Sequence, residues 1–150
     1  MEYITIHEII EATEGKLLLK GEDTKFNNVC TDTRAINDKD IFIAIKGENF
    51  NANEFALEAS KKGASICIID DMKFDKNEFN KETSIIKVAD TKKALLILAK
   101  FYINKLNIKV VGITGSTGKT STKDLVAAVL SAKFKVRSEE RRVGKECSQG

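Results

Sequence analysis

The alternation of apolar and polar positions divides the chain into short strands and short helices. Several runs rich in isoleucine or leucine are bounded by Gly, Asn and Asp, which is typical of β-strands. These runs cover residues 17–19, 29–31, 41–45, 66–69 and 85–88. Some of them are apolar at every position, which favours a sheet covered on both faces. The pattern therefore predicts a small α/β domain around a mixed sheet.

Helical spacing is found around and between these runs. A capping box of Thr5 and Glu8 precedes an apolar stripe, which predicts a short first helix that ends at Gly15. Residues 53–62 repeat apolar positions at helical spacing and are followed by Gly63, a residue that commonly ends helices. The order strand, helix, strand predicts a βαβ unit.

The second half of the chain contains a change of organisation. The polar residues 71–82 predict a loop or a short extra helix, and a longer helix begins near Thr91. Residues 109–114 predict a strand that runs through a glycine-rich loop into another amphipathic helix. We therefore divide the chain into a first domain at residues 1–88, a junction helix at 89–107, and part of a second α/β domain at 108–137.

Composition restricts the class of protein. The chain has 150 residues, of which 42% are hydrophobic and 31% charged, and this balance is typical of a globular protein. A net charge of +3 without a basic cluster gives no reason to expect nucleic acid, and no apolar run is long enough to cross a membrane. The start of the chain lacks the pattern of a signal peptide. We therefore expect a cytoplasmic protein, and we expect it to be a monomer. The three cysteines form no CxxC pair, so we expect them to be reduced thiols.

The last residues differ in composition from the rest of the chain. The stretch RSEERRVGKECSQG contains Arg137, Arg141 and Arg142, whereas Arg34 is the only arginine before it. Isoleucine, phenylalanine and asparagine are missing from the same stretch. We interpret residues 138–150 as a non-native tail; the alternative is a charged, solvated terminus.

The stretch GITGSTGKTST, residues 112–122, has the features of a phosphate-binding loop. The start of a helix exposes unpaired backbone N–H groups and carries partial positive charge, so it attracts anions. The candidate ATP-binding residues are Thr114, Gly115, Ser116, Thr117, Gly118, Lys119, Thr120 and Ser121. Lys119 can reach the outer phosphates of a nucleotide, and the hydroxyl of Thr120 is placed to bind Mg²⁺. The alternative is a turn that is rich in Gly, Ser and Thr by chance.

A second set of candidate residues lies at the ends of two predicted strands in VCTDTRAINDKDIFIAIKGENFNANEF. It comprises Thr31, Asp32, Thr33, Arg34, Lys46 and Gly47. Hydroxyls and backbone groups can pair with a base, and Arg34 can make bidentate contacts with a phosphate. Alternatively, Asp32 and Thr33 only hold a turn, while Arg34 pairs with Asp38 or Asp40.

These motifs resemble one family. The spacing TGxxGKT[ST] resembles the ATP loop of the Mur ligases and of the related folylpolyglutamate synthetases, which phosphorylate a carboxylate to make an amide. The longer string GKTSTKD is similar to the branch that adds D-alanyl-D-alanine (D-Ala-D-Ala) to UDP-MurNAc-tripeptide. The string DTRxI…DIFIAIKGE…F resembles the N-terminal domain of these enzymes, which binds the UDP of the muramoyl peptide. The resemblance covers residues 1–137.

The resemblance implies ATP and Mg²⁺ as cofactors, and an acyl phosphate that is attacked by the amine of D-Ala-D-Ala. It implies catalytic roles for Lys119 and Thr120, with Thr120 as a metal ligand. It also implies that UDP is bound by Thr31, Asp32, Thr33, Arg34, Glu48, Asn49 and Phe50, with Lys46 and Gly47 at the turn into this loop. The chain departs from the family pattern at residues 51–55, which read NANEF where a glycine, a histidine or asparagine, and an aspartate commonly precede the phenylalanine.

Other functions stay open from the sequence. These are the branch of the family that adds the third peptide residue, a P-loop kinase or other NTPase, and a nucleotide-binding module without catalysis. After the glycine loop no apolar run ends in an acidic residue, so we expect the 150 residues alone to be inactive. Asp70 and Asp71 are interpreted as residues of a solvated loop.

Overall fold

The computed structural model describes residues 4–22, 25–26, 28–107 and 109–137. The chain divides into two compact units, Met1–Ile108 and Lys109–Gly150. The proposed non-native tail at residues 138–150 lies outside the described residues. In the described part of the chain, no helix is long and apolar enough to cross a membrane.

The first unit contains a five-stranded sheet with helices on both faces. Its strands are β1 (Lys16–Leu19), β2 (Val29–Cys30), β3 (Ile41–Ile43), β4 (Ile66–Ile69) and β5 (Ser84–Lys87). Its α-helices are α1 (Ile6–Thr13), α2 (Ala56–Lys61) and α3 (Thr91–Lys105). Short 3-10 turns cover Thr33–Ala35, Ala52–Phe55 and Lys76–Glu78. The prediction of an α/β domain is confirmed.

The sheet has the strand order β1-β5-β4-β3-β2. Strands β2, β3, β4 and β5 are parallel to one another. Strand β1 pairs with β5 in the antiparallel direction, so the sheet is mixed as predicted. Strands β3 and β4 are joined through α2, which confirms the βαβ unit. The carboxyl ends of β2 and β3 consequently lie side by side at one edge of the sheet.

Two hydrophobic cores form, one on each face of the sheet, because neighbouring residues of a strand point to opposite faces. On β4, Ile66 and Ile68 belong to one core, while Cys67 and Ile69 belong to the other. Residues of α1 and α3 complete the first core, and residues of α2 complete the second. Burial raises the pKa of the Cys67 thiol to about 12, so this cysteine stays protonated at neutral pH.

The end of α1 shows why Gly15 is a glycine. The capping box of Thr5 and Glu8 begins the helix as predicted, but the left-handed residue at its end is Glu14, with φ of 53°. A Cβ atom on Gly15 would lie 2.6 Å from Cγ2 of Ile86. Gly15 is therefore required for the close approach of the chain to β5.

The second unit contains one helix among its described residues, α4 (Lys119–Ser131). The predicted strand at residues 109–114 is not formed, and the prediction is wrong for these residues. A strand needs a neighbouring strand for its backbone hydrogen bonds, and the described residues of this unit contain none. None of residues 109–137 is buried.

Candidate functional site

The segment after β2 forms a tight polar turn. The Asp32 carboxylate accepts a hydrogen bond of 2.9 Å from the backbone N–H of Arg34 and so caps the 3-10 turn Thr33–Ala35. The same carboxylate accepts bonds of 3.0 Å from Nε and 2.7 Å from Nη2 of Arg34. Asp32 and Arg34 therefore form a bidentate pair inside one turn.

This pair lowers the pKa of Asp32. The Arg34 guanidinium and backbone N–H lower the pKa of Asp32 from 3.8 to about 2, so the carboxylate stays ionised at any physiological pH. The alternative that Arg34 pairs with Asp38 or Asp40 is wrong. Asp40 is buried, and its carboxylate instead accepts a bond of 2.9 Å from the backbone N–H of Asn37.

Helix α2 supports the turn from the side. The ammonium group of Lys62 donates a hydrogen bond of 3.0 Å to the backbone oxygen of Thr33. It also lies 2.8 Å from Oε1 of Glu58, and this contact lowers the pKa of Glu58. Glu58 and Lys62, which are spaced at i and i+4, thereby connect α2 to the polar turn.

The segment after β3 presents an aromatic ring. Lys46 and Asn51 form an isolated antiparallel bridge, and the backbone N–H of Gly47 donates a bond of 2.7 Å to the oxygen of Phe50. The ring of Phe50 stacks on that of Phe55, with centroids 5.4 Å apart and planes inclined by 16°. The loop therefore holds Phe50 in place although the residue is 58% exposed.

The polar turn and the aromatic pair line one open cavity of about 530 Å³. Its lining residues are Thr31, Asp32, Thr33, Arg34, Phe42, Phe50, Ala52, Phe55 and Glu58. Five predicted substrate-binding residues are thus brought together, whereas Lys46, Gly47, Glu48 and Asn49 belong to the adjoining loop and do not line the cavity. Sequence reasoning missed Phe55 and Glu58, because helical spacing indicated only an apolar helix position for Phe55 and a pair with Lys62 for Glu58.

A buried asparagine fixes the loop where the sequence departs from the family pattern. Asn53 is fully buried, and its amide nitrogen donates to Oδ1 of Asn51 at 2.7 Å and to Oδ1 of Asp70 at 2.6 Å. Its amide oxygen accepts from the backbone N–H groups of Asp70 and Asp71 at 3.2 and 3.3 Å. The interpretation of Asp70 as a solvated residue is therefore wrong, because its carboxylate anchors Asn53.

The glycine loop of the second unit has the backbone of a helix start. Gly118 is the N-cap of α4 with φ of 73°, a left-handed conformation that glycine adopts without strain. The predicted ATP-binding residues 114–121 span the turn and the first residues of this helix, where Lys119 and Thr120 lie. Added Cβ atoms at Gly112 and Gly118 would meet nothing within 4 Å, which leaves the backbone accessible to a phosphate.

The residues described do not complete a metal site. No group of three or more His, Cys, Asp or Glu side chains that could hold a metal ion is found within them. The hydroxyl of Thr120 is one suitable oxygen ligand for Mg²⁺, and Mg²⁺ commonly takes only one or two protein ligands beside nucleotide phosphates and water.

The sequence of the chain is similar to those of two bacterial ligases. No protein-family model matches it. The chain is 37% identical over 135 residues to UDP-N-acetylmuramoyl-tripeptide--D-alanyl-D-alanine ligase of Bacillus subtilis, an alignment that covers 88% of the chain and 28% of the relative. It is also 30% identical over 127 residues to UDP-N-acetylmuramoyl-L-alanyl-D-glutamate--2,6-diaminopimelate ligase of Clostridium perfringens, covering 83% of the chain and 25% of that relative.

Solved structures agree with these relatives. One match, with a TM-score of 0.74 and 30% identity, is UDP-N-acetylmuramoylalanyl-D-glutamyl-2,6-diaminopimelate--D-alanyl-D-alanyl ligase from Acinetobacter baumannii. It covers 89% of the chain and 29% of that structure. The MurF ligase from Thermotoga maritima in complex with ADP matches with a TM-score of 0.59 and 28% identity, over 71% of the chain and 24% of that structure.

The fold and the two loops, together with these matches, show that the chain belongs to the Mur ligase family. Within the family it corresponds to the N-terminal part of the MurF ligases. The chain spans about a quarter of the length of the relatives it matches. The resemblance seen in the sequence is thereby confirmed.

Proposed function

We propose that this chain supplies the UDP-substrate domain and the ATP loop of a ligase that joins D-Ala-D-Ala to UDP-MurNAc-tripeptide. The observation that carries the proposal is the cavity, which gathers Phe50 and the four residues of the Thr31–Arg34 turn. These residues come from the strings that resemble the substrate domain of the family. Binding of UDP-MurNAc-tripeptide is the function we assign to the first unit.

The second unit is assigned the binding of ATP. The left-handed Gly118 at the start of α4 supports this assignment, because it directs backbone N–H groups toward a phosphate. The Thermotoga maritima relative carries ADP, which agrees with a nucleotide as the ligand. Lys119 stabilises the charge of the transferring phosphoryl group in this proposal.

The chemistry of the whole ligase is part of the proposal. ATP transfers its terminal phosphoryl group to the terminal carboxylate of the tripeptide and leaves as ADP. The amine of D-Ala-D-Ala then attacks the acyl phosphate, which forms an amide and releases phosphate. Mg²⁺ neutralises phosphate charge when bound, and Thr120 would hold it together with the nucleotide. We further propose that the protein works in the cytoplasm as a monomer, without nucleic acid or membrane as partner.

Calorimetric titration of the 150-residue chain tests the substrate assignment. We expect UDP-MurNAc-tripeptide to bind more tightly than ATP, because the cavity belongs to the unit that has a buried core. Arg34→Gln is expected to weaken this binding, whereas Arg137→Gln, a matched control in the other unit, is expected to leave it unchanged. Equal binding of UDP-MurNAc-tripeptide and an unrelated sugar nucleotide would contradict the proposal.

The same titration addresses the other branch of the family. The similarity to the Clostridium perfringens diaminopimelate ligase makes UDP-MurNAc-dipeptide the competing substrate. A clear preference for the dipeptide would favour that branch. Addition of both ligase substrates with Mg²⁺ should release no phosphate, since the chain covers 28% of the Bacillus subtilis relative.

A further inference from the structure

A polar cluster of Asn51, Asn53, Asp70 and Thr91 lies at the carboxyl end of β4. Asp70 is the first residue after this strand, which pairs with β3 on one side and with β5 on the other. The segments that follow β3 and β5 therefore approach Asp70 from opposite sides. The segment after β3 is the loop at residues 46–51, and the segment after β5 leads directly into α3.

One oxygen of the Asp70 carboxylate holds the loop. Oδ1 of Asp70 accepts a hydrogen bond of 2.6 Å from the side-chain amide of Asn53. The same amide donates to Oδ1 of Asn51 at 2.7 Å, and Asn51 forms the isolated bridge with Lys46. The loop is therefore connected to the end of β4 through two side-chain hydrogen bonds.

The other oxygen of the carboxylate reaches the start of α3. Oδ2 of Asp70 accepts a long hydrogen bond of 3.5 Å from the hydroxyl of Thr91, the first residue of this helix. Thr91 is only 1% exposed, and a buried hydroxyl that loses its partner costs free energy because water cannot replace that partner. The position of the first turn of α3 therefore depends on Asp70.

Burial makes these bonds difficult to exchange for bonds to water. Asn53 is 0% exposed, and its amide oxygen also accepts from the backbone N–H groups of Asp70 and Asp71. A shift of the loop or of the helix start would leave buried polar groups unpaired. The loop and the start of α3 are consequently fixed by the same carboxylate.

We propose that Asp70 is a positioning residue that couples the loop at residues 46–51 to the first turn of α3. The inference rests on the proposed function and adds to it a residue that acts on substrate binding through Asn53. Asp70 orders the loop before the substrate arrives, which lowers the ordering cost of binding. By thermodynamic reciprocity, a substrate that orders the loop also stabilises the start of α3.

Hydrogen exchange with and without UDP-MurNAc-tripeptide tests the coupling in the 150-residue chain. We expect saturating ligand to slow exchange of the amides of residues 94–98 by about fivefold or more. The same amides should not respond to ligand in Asp70→Ala, measured at a concentration that saturates the variant. Binding by the parent chain without a response in α3 would overturn the proposal.

Calorimetric titration measures the effect on affinity. We expect Asp70→Ala to weaken binding of UDP-MurNAc-tripeptide by about fivefold to fiftyfold, because the loop loses its support. Asp70→Asn should bind within about threefold of the parent chain, since its oxygen still accepts from Asn53 and its amide can donate to Thr91. Failure of Asp70→Asn to restore binding would contradict positioning through these hydrogen bonds.

Asp71→Ala is the matched control. Asp71 is the neighbouring residue of the same type, but its carboxylate pairs with Lys73 at 2.8 Å and is 48% exposed. We expect this variant to keep both the affinity and the response of α3. Equal affinities of Asp70→Ala and Asp71→Ala would overturn the coupling and leave the proposed function intact, whereas no binding by the parent chain would contradict both.

Thermal unfolding of each variant shows whether the fold is retained. If Asp70→Ala does not fold, Thr91→Val decides the question, because it removes the hydroxyl that contacts Asp70 and keeps the shape of the side chain. Loss of the ligand response in α3, with binding retained, supports the coupling. A response equal to that of the parent chain overturns it.

Discussion

At the scale of single residues, the polar turn illustrates how a side chain can have a local partner and still line a binding cavity. Asp32 caps the turn, binds the Arg34 guanidinium, and contributes to the cavity wall. The side chain of Asp32 is 44% exposed and that of Arg34 is 87% exposed, so water screens their pairing and the pair contributes little to stability. The main role of the pair is to position the Arg34 guanidinium.

Protonation of Asp32 tests this pairing. In the parent chain we expect the carboxyl to titrate with a pKa of about 2, and in Arg34→Gln to return toward 3.8. Because the folded-state pKa is depressed, the stabilising contribution is fully present above about pH 4 and is lost as the pH falls through 2. Carbon-detected NMR of the side-chain carboxyl follows this titration. A pKa near 3.8 in the parent chain would show that the pair does not form in solution.

Asn53 is the residue whose removal should be most damaging near the site. Asn53→Ala leaves the partly buried Asp70 carboxylate and two backbone N–H groups without this partner. We expect unfolding to require about 2 to 3 kcal/mol less free energy, measured by urea denaturation followed by circular dichroism. Asn104→Ala, on an exposed position of α3, should change stability by less than about 0.5 kcal/mol. Similar values for the two variants would contradict the anchoring role.

At the scale of elements, the glycines next to α1 and α4 are required for different physical reasons. Gly15 follows α1 and is needed for close packing on β5, whereas Gly118 precedes α4 and is needed for its left-handed backbone. Space limits the first position, and backbone strain limits the second. The same residue type therefore serves two physical purposes, which only contacts and dihedral angles distinguish.

Substitutions in the glycine loop test the second purpose. Gly118→Ala forces a residue with a Cβ into φ of 73°, which costs about 1 kcal/mol and should shorten or weaken the start of α4. Gly112→Ala is the matched control, since a Cβ there also meets nothing within 4 Å but its φ is not positive. NMR secondary chemical shifts of residues 119–131 measure the helix. Gly118→Asn should lose less helix than Gly118→Ala, because asparagine tolerates the left-handed region. Equal loss of helix in Gly118→Ala and Gly112→Ala would contradict this account.

At the scale of the whole molecule, the two units differ in burial. The first has a sheet with a hydrophobic core on each face. In the second, none of residues 109–137 is buried, and Val110, Val111, Leu125 and Val129 are each more than 60% exposed. Helix α4 consequently lacks the tertiary packing that stabilises most helices in proteins.

Hydrogen exchange should report this difference directly. We expect backbone amides of β3, β4 and β5 to exchange slowly, with protection close to that of global unfolding, and amides of α4 to exchange within the first time points. Mass spectrometry of peptic fragments measures both regions in one sample. Protection of α4 comparable to that of α3 would show that the second unit is more stable than its exposure indicates.

Much of the fold could be predicted because it depends on local patterns. The capping box of Thr5 and Glu8, the isoleucine-rich strands and the βαβ order are all signals carried by residues close in sequence. The strand at 109–114 was the exception, since pairing depends on a neighbouring strand rather than on the apolar run itself.

The candidate site divides in the same way. The sequence alone identified residues 31–34 and 112–122 as motifs, because a motif is recognised from its residue types and their spacing. The tertiary structure decided that Arg34 binds Asp32, that Phe55 supports Phe50, and that Asn53 is anchored by Asp70, 17 positions away. Each of these choices depends on which side chains folding brings within a few ångströms, and that information is spread over strands and loops distant in sequence.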